Sequence, residues 1–122
     1  MPKFWIKTNV TGNKIATDLH EIVASLISEH MKKPRESINV TVLPGLWMSM
    51  GGTEEPCAVC NLTSIYDFTE DTCARLSALL MLPVCKALSL SEDRMFLNFN
   101  AVTTGIMGFK GTTIKLLREK KE

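Results

Sequence analysis

KFWIKTNVTGNKIATDLHEIVASLISEHMKKPRESINVTV, residues 3–42, holds three periodicities in a single run. From Lys3 to Val10, Phe4, Ile6 and Thr8 alternate with Lys3, Trp5 and Lys7, the period of a half-buried strand. Thr11-Gly12-Asn13 ends that strand and offers a helix cap. Ile15, Leu19, Ile22, Val23, Leu26 and His30 then mark one face of an amphipathic helix. Pro34 stops the helix, because its ring removes an N–H donor and clashes with the preceding turn. Ile38-Asn39-Val40-Thr41-Val42 alternates strictly and reads as a second strand.

The same order recurs. Cys57 to Tyr66 reads as a strand, Leu76, Leu79, Leu80, Pro83, Val84 and Ala87 as a helix face, and Met95 to Asn100 as a strand. An offset of 57 residues lays Ile22, Ile27 and Met31 on Leu79, Val84 and Leu88, and Ile38, Val40 and Val42 on Met95, Leu97 and Phe99. The expected fold is α+β: two right-handed βαβ units form one four-stranded mixed sheet with two helices on one face. Pro83 should kink the second helix. The opposite sheet face would carry Asn39, Thr41, Asn98 and Asn100. Such a face meets water or is enclosed by homo-oligomerisation, and the pattern alone leaves both open.

At 122 residues the chain is one domain, 1–122, with a basic extension from about residue 115. Hydrophobic residues make up 45% and charged residues 22%, ordinary values that exclude a disordered or low-complexity chain. Net charge is +1, so neither nucleic acid nor a membrane surface is expected as partner. No apolar run reaches the roughly 18 residues of a membrane span. Met-Pro-Lys-Phe-Trp-Ile-Lys-Thr lacks a signal-peptide h-region, so a cytoplasmic chain with reduced thiols is expected. Of the four cysteines only Cys57 and Cys60 are close in sequence. Cys73 and Cys85 fall about 120° apart on the second helix, so no second ligand pair forms and no metal is expected.

Several motifs, taken in order and spacing, resemble one family. Pro2 follows Met1. Lys33-Pro34 ends the first helix. Met48-Ser49-Met50-Gly51-Gly52-Thr53-Glu54-Glu55-Pro56-Cys57-Ala58-Val59-Cys60 precedes Ser64-Ile65, and Asp93-Arg94-Met95-Phe96-Leu97-Asn98-Phe99 follows. From residue 2 to about 114 the chain resembles the macrophage migration inhibitory factor and D-dopachrome tautomerase family of the tautomerase superfamily. Asn39-Val40-Thr41-Val42-Leu43-Pro44-Gly45-Leu46 is more similar to the D-dopachrome branch, and the Cys-x-x-Cys to the other.

The resemblance implies a homotrimeric keto–enol tautomerase without cofactor, acting on a small aromatic keto acid or a dopachrome-like compound. Once Met1 is removed, Pro2 would be a secondary amine. An ordinary α-amino group has a pKa of about 8, and burial beside Lys33 would lower it toward neutrality. Pro2 would then serve as general base. Lys33 would pair with the substrate carboxylate and the enolate. The resemblance places Ser64, the Ile65 backbone, Phe96, Asn98 (from a neighbouring subunit), Met107 and Phe109 at the substrate.

Four departures from the family pattern carry expectations of their own. Phe96 stands where the family often has Tyr, and Phe109 where it has Trp. Tyr66 replaces a Gly near the expected pocket mouth. Lys3 stands beside Pro2 in place of an apolar residue, where it would lower the Pro2 pKa or disturb the trimer interior.

Two alternatives accompany this reading. The family includes leaderless secreted cytokines, so a non-classically secreted protein binding a cell-surface receptor is one. The other is thiol–disulfide chemistry at Cys57 and Cys60, although the pair enters a strand, not the helix N-terminus that stabilises a thiolate.

Overall fold

The computed structural model describes residues 1–120. Four strands, β1 (Lys3–Thr8), β2 (Asn39–Leu43), β3 (Ala58–Ser64) and β4 (Met95–Ala101), form one sheet in the order β2-β1-β3-β4. β1 runs parallel to β2 and β3 parallel to β4, while β1 and β3 are antiparallel. Helix α1 (Leu19–Met31) crosses from β1 to β2, and α2 (Glu70–Leu88) from β3 to β4. The sheet is therefore mixed and built of two βαβ units.

The duplication extends to details. The buried residues of α1 are Leu19, Val23, Ile27 and Met31. Leu76, Leu80, Val84 and Leu88 of α2 are buried in the same i, i+4 row, 57 positions on. Both helices end on a left-handed residue with the same offset, Lys32 at φ 55° and Ser89 at φ 55°. In each, the next N–H reaches back to the helix: Lys33 to the Ser28 carbonyl at 3.2 Å, and Leu90 to that of Cys85 at 2.8 Å. In the first strand the offset is one less, because the pairing sets Phe4 against Val40 and Cys60 against Leu97.

One sheet face meets the helices. Phe4, Ile6, Cys60 and Leu62 are fully buried there and form the core with both helix rows. The other face is open. Rows of register partners cross it, Thr41–Trp5–Asn61–Asn98 among them. Asn39, Thr41, Asn98 and Asn100 are exposed on it as expected, joined by Lys3, Lys7 and Phe96, the last 61% exposed. Lys7 Nζ sits 4.7 Å from the Trp5 ring centroid.

Some boundaries differ from the sequence reading. β1 ends at Thr8 and β3 spans only Ala58–Ser64. Helix α1 begins at Leu19, because Ile15 falls after a 3-10 turn at Gly12–Lys14. Helix α2 begins six residues before the apolar row, under a cap: the Thr69 side chain accepts from Thr72 N at 3.1 Å, and Thr69 N donates to Thr72 Oγ1 at 2.8 Å. The helix continues through Pro83 to Leu88. The tail folds into a hairpin, β5 (Gly108–Phe109) with β6 (Thr112–Thr113), and a helix α3 (Ile114–Lys120). The hairpin turns on Lys110 and Gly111, both at positive φ, as a two-residue turn of primed type requires.

Candidate active site

Everything at the candidate site starts from the end of β1. Lys3 faces Thr63 across the β1–β3 pairing, so Pro2, one step earlier, falls across from Ser64. The Pro2 carbonyl accepts from Asn39 N at 2.9 Å, and its ring is fully buried. Ser64 is buried on the same side of the sheet, and its Oγ has no hydrogen-bond partner. An unpaired buried hydroxyl costs about 1–3 kcal/mol. The Ser64 hydroxyl is closed off from solvent across from Pro2 and does not line the cavity beside the N-terminus.

Lys33 reaches the site through the C-cap of α1. The left-handed Lys32 turns the chain, and the Ser28 hydroxyl donates to the Lys33 carbonyl at 2.7 Å. The side chain of Lys33 extends toward β3, its Nζ donating to the Ile65 carbonyl at 3.5 Å. There it lies near the chain's amino terminus. Burial holds the Met1 amine below the usual α-amino range, and the charges of Lys33 and Arg118 lower it further.

Met1, Phe109, Ile114 and Leu117 wall a cavity of about 360 Å³ beside that amine, within the usual range for small-molecule sites, and Glu36, Lys110 and Arg118 supply its charges. Hollows of about 490 and 510 Å³ lie elsewhere. Neither adjoins the N-terminus, and size alone confers no chemistry.

The structure thus brings Pro2, Lys33, Ser64, Ile65 and Phe109 to one end of the sheet; of these, Phe109 lines the cavity, while Pro2, Lys33, Ser64 and Ile65 do not. Met107 lies nearby in sequence, its carbonyl accepting from Ile114 N at 2.9 Å, but its side chain does not line the cavity. Asn98 and Phe96 are not there within one protomer. Both lie on the open face of β4, whereas Pro2 lies with Phe4 on the helix-facing side. Tyr66 also departs from expectation: its hydroxyl accepts from Arg75 of α2 at 3.3 Å, and its ring packs on Phe68 at 5.1 Å, away from the cavity. Lys3 points to the open face and is exposed. The second cation near the amine is Arg118 of α3, which sequence reading missed because 117 positions separate it from Met1.

Cys57 and Cys60 are both fully buried. The Cys60 thiol is pushed up to about 12, first by burial and then by neighbouring Cys85. A redox nucleophile needs the opposite shift, so this environment does not support thiol–disulfide exchange. Among the described residues no three His, Cys, Asp or Glu side chains converge as metal ligands.

The family model for macrophage migration inhibitory factor matches residues 1–115. The chain belongs to the macrophage migration inhibitory factor family. Among curated proteins it is 30% identical to macrophage migration inhibitory factor of Xenopus tropicalis, over 93% of this chain and 98% of the relative. It is 28% identical to MIF-like protein mif-2 of Caenorhabditis elegans, over 98% of this chain and 100% of the relative. The fold matches solved structures of two family proteins. Macrophage migration inhibitory factor from Trichinella spiralis superposes at a TM-score of 0.87, with 24% identity over 91% of this chain and 98% of that one. The homologue from Prochlorococcus marinus gives 0.83, with 22% identity over 92% and 98%.

Proposed function

We propose that this protein is a keto–enol tautomerase for small aryl 2-keto acids, with Pro2 as its base after loss of Met1, working as a homotrimer. The observation that carries the reading is the amine environment. The amine of Met1 is partly buried, flanked by two cations and beside a largely apolar cavity, so a proton leaves it more readily than it leaves an ordinary α-amine, and loss of Met1 would put the Pro2 amine one residue from that place. Family membership supports the same reading.

In this scheme the neutral Pro2 nitrogen takes a proton from the carbon next to the ketone. The C–H electron pair becomes the C=C bond, and the carbonyl π pair moves to oxygen. The proton on Pro2 is returned to that oxygen, giving the enol; the reverse order gives the ketone. Nothing is oxidised or reduced. Lys33 stabilises the enolate charge where it develops, in a site from which water is partly excluded. Asn98 and Phe96, exposed on the open face, would complete the site from a neighbouring subunit. That requirement ties catalysis to assembly.

The test is turnover of 4-hydroxyphenylpyruvate and of a dopachrome methyl ester by protein whose intact mass confirms loss of Met1. Pro2→Gly replaces the secondary amine by a primary one and should lower kcat, while protein that keeps Met1, in which the Pro2 nitrogen is a non-basic amide, should lose at least a hundredfold, the scale of general-base catalysis. Equal turnover by the Met1-bearing protein would exclude the mechanism.

A further inference from the structure

Most of helix α3 lies beyond the residues that the family model matches. The family model ends at residue 115, whereas Leu117 and Arg118 line the cavity beside the N-terminus. The β5–β6 hairpin explains how they get there. Its two-residue turn at Lys110 and Gly111 reverses the chain, Ile114 N bonds back to the Met107 carbonyl, and Ile114 is buried. With Ile114 anchored, Leu117 and Arg118 follow three and four positions later on the same side of the helix.

We propose that α3 is a wall of the substrate site, in which Arg118 receives the substrate carboxylate while Phe109, Ile114 and Leu117 hold its aryl body. This inference rests on the tautomerase reading for its substrate class. The enolate of a 2-keto acid carries two anionic groups, the carboxylate and the enolate oxygen. One lysine serves one of them best. Lys33, a point charge beside Ile65 and the N-terminus, suits the oxygen whose charge appears during reaction. Arg118 offers a planar fork that matches a carboxylate with two parallel hydrogen bonds. Arg118 also forms no ion pair among the described residues, where the ion pairs are Glu29–His30 and Glu21–Arg35. Lys110 adds a positive charge to the cavity, and Glu36, its one carboxylate, disfavours anions on its own side. The site is thus assigned to acids over their neutral esters and amides.

Calorimetric binding of 3-phenylpropanoate and 3-phenylpropanamide, neither of which can tautomerise, separates this inference from the catalytic one. Met1-free protein should bind the acid, and Arg118→Gln should weaken that binding about tenfold, as for a lost charge-assisted pair. Amide binding should stay unchanged. Arg118→Lys should restore part of the loss, and Lys115→Gln, on the same helix but outside the cavity, should change neither. Equal loss for acid and amide would reduce α3 to a packing element and overturn the proposal, as would no loss for either or no acid binding by the parent protein. Turnover lost in the Met1-bearing protein while acid binding ignores Arg118 would leave the tautomerase standing without this inference. Arg118-dependent acid binding without Pro2-dependent turnover would sink the catalytic reading and leave an aryl-carboxylate binding site.

Discussion

Lys33 owes its place to three backbone facts: a left-handed Lys32, a Ser28 hydroxyl on its carbonyl, and Pro34 after it. Its charge then acts on the amine. A nearby cation disfavours the protonated form, so removing it raises the amine pKa. The acid limb of kcat/KM for the Met1-free enzyme should therefore lie below about pH 8 and move upward in Lys33→Gln, toward the ordinary α-amino value. A pH-rate profile unchanged by the substitution would separate Lys33 from the base. The cysteines give a second residue-scale expectation. Cys57, Cys60 and Cys85 are buried and Cys73 is half-exposed. Under native conditions iodoacetamide should modify Cys73 well before the other three, as peptide mass mapping would show. Early labelling of Cys60 would contradict a thiol whose ionisation burial opposes.

The elements obey their local chemistry, and the misread ones show where that chemistry is faint. Glu70 to Arg75 carries no apolar row, so helix α2 could be started only from its cap, Thr69 with Thr72 three positions on. Thr69 is exposed and its side chain acts on the backbone alone. Thr69→Ala should thus cost about 1 kcal/mol, a fall of roughly 3–5 °C in Tm for a chain of this size. Calorimetry would read it, and an unchanged Tm would deny the cap its role. The β5–β6 hairpin is two pairs long, too short for any alternation to register. Its signal was Gly111 after Lys110, a turn pair that can take positive φ at both positions.

At the scale of the whole molecule the open sheet face is the unfinished part. It holds hydrogen-bonding side chains, two lysines and an exposed Phe96, with β2 and β4 left as free edges. Unpaired edges invite pairing with another chain, and three copies closing on one another would cover them. Light scattering should give a mass near three chains. Phe96→Glu, changing a side chain 61% exposed in the protomer, should reduce it to one chain without loss of helical circular dichroism. A monomeric parent protein would remove the route by which Asn98 reaches Pro2.

Periodicity is a local property, so the sequence by itself determined the two βαβ units, the buried rows of α1 and α2, the polar character of the open face and the motif that names the family. The same local reading paired Pro2 with Lys33 only through resemblance. Which side chains meet across the fold depends on pairings between residues far apart in the chain, and no period of 2 or 3.6 records them. The tertiary structure decided that Lys3 leaves the amine, that Tyr66 turns to Arg75, and that Asn98 lies on the wrong face for its own Pro2. It also brought Arg118 back to the N-terminus, because a two-residue turn and one buried isoleucine reverse the tail onto the start of β1.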